Sequence, residues 1–175
     1  MKTITAVTTA IAAAGCLVAA TPQSFAAEKQ PAASRYYPLL GHWKGKGELA
    51  EPGQPAAKLA LKLACRKDAS GWAVRCDMSA TNHEMTITEA DLFGVDPVTG
   101  QGHWYAVTNQ GDAHDHLTEW TDAATMKAHY EWVQDGKKMR EDILFRLPGT
   151  KSMEFRSVVT ADGKEAGVFS GKLGR

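Results

Sequence analysis

The feature that most constrains this chain is an alternation of apolar and polar residues with period two, broken at short intervals by turn-forming residues. In Leu59-Ala60-Leu61-Lys62-Leu63-Ala64-Cys65 the leucines and the cysteine fall on one face, while Lys58, Lys62 and Arg66 fall on the other. Successive side chains of a strand point to opposite faces, so such a segment has one buried face and one wetted face. Gly71 to Ala80 repeats the pattern, with Trp72, Val74, Cys76 and Met78 expected inward. So do Met126, Ala128, Tyr130 and Trp132, and again Met139, Ile143, Phe145 and Leu147, each set alternating with charged residues.

Between these runs lie Glu51-Pro52-Gly53, Ser70-Gly71, Asn82-His83, Asp96 to Gly100, Asn109 to Asp112, Asp122-Ala123, Asp135-Gly136, Pro148-Gly149 and Asp162-Gly163. Each carries residues that favour tight turns. The spacing predicts about ten short antiparallel strands. Apart from a short helical turn around Tyr36 to Leu40, no segment after the N-terminal leader carries a 3.6-residue stripe. The fold class is therefore all-β: a single up-and-down barrel, which removes exposed strand edges, with a two-sheet sandwich as the alternative.

The N-terminal end reads as an address rather than as structure. Met1-Lys2, an apolar and small-residue run to Ala20, and Ser24-Phe25-Ala26 have the order of a secretory signal peptide over residues 1–26. That run is too short and too alanine-rich for a bilayer span, and no later segment approaches the length of one, so no transmembrane segment is expected. Residues 27–35 read as a flexible tether and 36–175 as one barrel domain. The expected location is periplasmic or secreted. Ala13-Ala14-Gly15-Cys16 offers an alternative, a lipid anchor through Cys16, but the residues after it stay apolar.

Removal of the leader leaves Cys65 and Cys76, an even number suited to a disulfide in an oxidising compartment. A turn at Ser70-Gly71 places them opposite each other, and closing a loop of about a dozen residues stabilises a fold by about 3 kcal/mol. There is no Cys-x-x-Cys, so a redox role is not indicated. The 20 basic and 20 acidic residues are interspersed, and losing Lys2 leaves a slight acidic excess. Nucleic acid, which needs a basic surplus, is not an expected partner.

The segment Leu40-Gly41-His42-Trp43-Lys44-Gly45-Lys46-Gly47 is similar to the Gly-x-Trp opening of the first strand in lipocalins and their calycin relatives. With Gly94 to Gly100, the polar Asn109 to Asp112 loop and the Asp162-Gly163-Lys164-Glu165 hairpin, the chain resembles a bacterial family of lipocalin-like domains of unknown function. The resemblance implies a closed barrel with a small-molecule cavity and Trp43 across its floor. It supplies no catalytic residues.

Candidate chemistry centres on Ala113-His114-Asp115-His116-Leu117-Thr118-Glu119-Trp120, where His114, His116, Thr118 and Trp120 share a face. If Trp120 faces the core, both imidazoles face the interior. If Leu117 marks the core face, they lie on a solvated surface, and this strand's pattern favours that default. Glu141 shares a face with Met139, Ile143 and Phe145, an expensive position for a carboxylate unless it is paired or protonated. His103 can join either arrangement. Candidate ligand-binding residues are Trp43, His103, His114, His116, Trp120, Tyr130 and Glu141, with His114 and His116 as candidate metal ligands.

No nucleophile elbow, His-Glu-x-x-His pair or phosphate loop is present. The leading expectation is an exported barrel binding a small, largely apolar molecule. The alternatives are a metal- or haem-binding barrel using His103, His114 or His116, a small hydrolase or isomerase built on these histidines and Glu141, and a purely structural envelope protein.

Overall fold

The computed structural model describes residues 33–175, so the signal-peptide reading of residues 1–26, Cys16 and most of the tether lie outside the described residues. A 3-10 helix, Ala33–Leu39, leads into strands β1 (Gly41–Ala50), β2 (Ala57–Asp68), β3 (Ala73–Thr81), β4 (Thr86–Val95), β5 (Gly102–Thr108), β6 (Ala113–Trp120), β7 (Thr125–Gln134), β8 (Lys137–Gly149), β9 (Ser152–Ala161) and β10 (Lys164–Gly174). Within the described residues the first element is this 3-10 helix, with Ala33, Tyr36 and Leu39 buried.

Every consecutive pair of strands is antiparallel, and β10 returns to β1, which closes the sheet into a barrel. The sandwich alternative is set aside. The turns sit where the sequence placed them except at Pro148-Gly149, which ends β8, so that the turn falls at Thr150-Lys151. Asp135-Gly136 and Asp162-Gly163 have positive φ at both central residues, the backbone twist that matches a tight two-residue hairpin. At Asp96 to Gly100 the Asp96 carboxylate accepts hydrogen bonds from the Val98 and Thr99 amides at 2.7 and 3.2 Å, fixing the longer turn.

Cys65 and Cys76 face each other across β2 and β3 and are disulfide-bonded, with 4.0 Å between their Cα atoms. One inward expectation fails beside them. The chain makes a 3-10 turn at Ala69–Gly71 before β3 begins at Ala73, which takes Trp72 out of the strand's alternation and leaves it 54% exposed.

The Ala33–Leu39 helix plugs one end of the barrel. Tyr36 bonds Thr118 through their hydroxyls at 2.5 Å and packs its ring 5.3 Å from Phe93. Trp43 lies fully buried beneath the plug and donates its indole N–H to the Leu39 carbonyl at 2.8 Å. The Arg175 guanidinium sits 4.2 Å from the Trp43 ring and donates to the carbonyls of Pro38 and Leu40, so the last strand fastens the plug. Burying each large side chain of this layer stabilises the fold by about 1.5–3 kcal/mol. The opposite end carries only hairpin turns, and the candidate site lies between the two.

Candidate functional site

Four strands set the polar wall of the barrel interior. On β6 the inward residues are His114, His116, Thr118 and Trp120, because Leu117 on the other face is 37% exposed while the His116 side chain is 3% exposed. The solvated default for these histidines is overturned. The physical reason is the β5 pairing, which sets Trp104 opposite His116 and stacks their rings at 4.6 Å. On β8, Glu141 points inward beside Ile143, and on β9 Ser157 does the same. β4 contributes Glu89 and Asp91, alternating with Phe93.

These groups form two linked polar clusters. In the first, Glu141 Oε2 lies 2.9 Å from His116 Nε2, and Glu141 Oε1 accepts a hydrogen bond from the Ser157 hydroxyl at 2.5 Å. Burial works to raise the Glu141 pKa, but these hydrogen bonds and the nearby histidines outweigh it and hold the carboxyl below its ordinary range. In the second, the Trp104 indole N–H donates to Asp91 Oδ1 at 2.6 Å. Burial, reinforced by the neighbouring Asp91, pushes Glu89 up to about 9, and burial pushes Asp91 up to about 6. The pair therefore keeps one proton at neutral pH, with Glu89 donating to Asp91.

His114 completes the wall. Its ring stacks on Tyr130 at 4.7 Å, and Tyr130 stacks on Trp132 at 5.2 Å. One donor atom from each of His114, His116 and Glu141 can be chosen so that all lie within 4.8 Å of one another. His116 Nδ1 is buried without a hydrogen-bond partner. A buried polar atom left bare costs about 1–3 kcal/mol, so such an atom in a cavity wall marks a place where a ligand group is welcome.

The space in front of this wall is a cavity of about 170 Å³, bounded on its apolar side by Leu61, Leu63, Met78, Phe155 and Phe169. His114, His116 and Glu141 line it, and so do Glu89, Asp91, Trp104 and Ser157. The other expected contacts are placed elsewhere. Trp43 belongs to the floor beneath the plug, Trp120 packs against Tyr36 with its rings 6.4 Å apart, and Tyr130 stands behind His114 as a stacking support. His103 is on the outer face, 3.1 Å from Asp115, because its register partner is the outward Leu117.

Glu89, Asp91, Trp104 and Ser157 were not among the sequence candidates. Glu89 and Asp91 carried a usable signal, since Ile87-x-Glu89-x-Asp91-x-Phe93 puts two carboxylates on an otherwise apolar strand face. Ser157 had none.

Several solved structures resemble this chain in fold. At a TM-score of 0.62 and 14% identity, the chain matches the structure of Rv2717c from M. tuberculosis, covering 83% of this chain and 97% of that one. A protein of unknown function from the DUF3598 family of Nostoc punctiforme aligns at a TM-score of 0.50 and 17% identity, over 79% of this chain and 48% of that one. The S-type phycobiliprotein lyase CPES from Guillardia theta aligns at 0.56 and 10%, over 81% and 90% respectively. The likeness is one of fold, a closed up-and-down antiparallel barrel. No family model and no curated protein matches the sequence, so the likeness rests on shape and says nothing about which molecule the interior holds. Among the described residues, no helix is long and apolar enough to cross a membrane.

Proposed function

We propose that the protein is an exported barrel that binds one small molecule, with an apolar body of about one aromatic ring and a polar head that donates hydrogen bonds. The observation that carries this reading is the two-sided cavity, with Leu, Met and Phe side chains facing a wall of carboxyl and imidazole groups. Pockets for drug-sized ligands run to about 300–1,000 Å³, whereas an apolar cavity of about 150 Å³ takes benzene. The 170 Å³ interior belongs to the second class. A haem does not fit such a volume. The haem alternative therefore has no support. Export is supported by the leader-like residues 1–26 and by the Cys65–Cys76 disulfide, a bond that persists outside the reducing cytosol.

The head-group preference follows from charge. Ionised Glu141 and the Glu89–Asp91 pair are hydrogen-bond acceptors in a poorly solvated space, so a hydroxyl or amine is favoured and a carboxylate is rejected. Calorimetric titration of the metal-free protein with phenol, benzoate and 2-naphthol tests this. Phenol is expected to bind with a Kd between about 10 μM and 1 mM, and benzoate and naphthol not to bind. A Phe155→Trp substitution, which fills the cavity, is expected to abolish phenol binding, and Phe155→Ala to admit naphthol. Equal affinity for phenol and benzoate, or phenol binding untouched by Phe155→Trp, would sink the reading.

A further inference from the structure

We propose that His114, His116 and Glu141 form a site for one divalent transition-metal ion of the zinc type, with an open coordination position facing the apolar cavity. The ion does not depend on the organic ligand, but the open position rests on the cavity reading above.

Distance is the first support. The three donor atoms already lie within 4.8 Å of one another, and His116 Nε2 and Glu141 Oε2 are 2.9 Å apart. Ligands bound at 2.0–2.1 Å in a tetrahedron are about 3.3 Å apart. The closest pair therefore needs to open by only a few tenths of an ångström, and the His114 ring to move toward it.

Donor chemistry is the second. Two imidazoles and one carboxylate are the set found on open zinc sites, where three protein ligands leave a fourth position for water or substrate. Calcium and magnesium prefer oxygen shells and are poorly served by imidazoles.

Preorganisation is the third. The rings are held on adjacent inward positions of β6 by stacking, His116 against Trp104 at 4.6 Å and His114 against Tyr130 at 4.7 Å. Ser157 Oγ fixes one oxygen of Glu141 at 2.5 Å and leaves the other aimed at His116. Metal-binding carboxylates are oriented by outer hydrogen bonds of this kind.

The consequence for ligand choice is specific. An ion seated there faces Leu61, Leu63 and Phe155 across the cavity, so the molecule taken would present an oxygen or nitrogen lone pair to the metal and its ring to the apolar side.

The test is titration of the chelator-treated, disulfide-bonded protein with zinc by calorimetry, and with cobalt(II) by visible absorption. One ion per chain is expected, with a four-coordinate cobalt spectrum. His114→Ala and Glu141→Gln should each weaken zinc at least about 100-fold, since losing even an outer partner costs 10–100-fold. His103→Ala, on the outer face, should change nothing. Circular dichroism and thermal melts of the variants establish that they are folded. No zinc binding, or zinc binding retained in both His114→Ala and Glu141→Gln, overturns the proposal. Phenol titration of the metal-free protein reads the cavity separately, so a failed metal site and a failed ligand site give different results.

Discussion

Replacing Glu89 by glutamine should stabilise the protein at neutral pH, and the size of the effect follows from the proton that Glu89 holds. In the unfolded chain Glu89 titrates at its ordinary 4.5, whereas burial and the adjacent Asp91 push it up to about 9 in the barrel. Between those values the folded state binds a proton that the unfolded state has lost. Stability is therefore greatest below pH 4.5 and is lost as pH rises toward 9, at up to about 1.4 kcal/mol per pH unit. At pH 7 the accumulated cost has a ceiling of about 3 kcal/mol. Glutamine carries no titrating proton and can still donate to Asp91, so Glu89→Gln should recover up to about 3 kcal/mol at pH 7 and little at pH 4.5. Denaturant unfolding of both proteins at pH 5, 6, 7 and 8 gives the difference, in which titrating groups other than the coupled Asp91 cancel. A difference that stays flat across that range, or Glu89→Gln destabilising at pH 8, would refute a buried protonated Glu89.

Other outcomes are equally definite. Reducing Cys65–Cys76, or replacing both cysteines by alanine, should cost about 2–3 kcal/mol in denaturant unfolding, since the closed loop is short. Gly45→Ala should cost more than about 3 kcal/mol, because its Cβ would overlap the Lys172 carbonyl oxygen where β1 meets β10, and backbone cannot step aside. Trp43→Ala should cost about 3–5 kcal/mol through its cavity and the lost bond to Leu39, and should loosen the plug, read as faster amide exchange in Ala33–Leu39.

The strand count and the turns were legible because alternation and turn chemistry are local properties. Each hairpin announces itself within a few residues, and an up-and-down order follows once neighbours in sequence are neighbours in space. The disulfide was legible for the same reason, since a turn at Ser70-Gly71 fixes which residues oppose each other. Closure was not local: the β1–β10 pairing joins residues more than a hundred positions apart, and the glycines that permit it give no periodic signal. The site was half legible. His114, His116 and Glu141 could be placed on faces, but the choice between Leu117 and Trp120 as the core marker depended on packing by Trp104 from another strand. His103 could join either arrangement for the same reason, its register with Leu117 being set by the β5–β6 turn. Glu89 and Asp91 went unnoticed although their alternation with Ile87 and Phe93 was visible, because carboxylates are ordinarily taken as outward residues.

The central claim is that the interior holds one ring-sized molecule against the carboxyl–imidazole wall. Amide NMR shifts recorded during a phenol titration test it most directly. The account expects saturable shifts concentrated on inward residues of β2, β4, β6 and β8, and their loss in Phe155→Trp. Shifts that grow linearly without saturation, or that cluster on the outer face around His103 and Asp115, would contradict it.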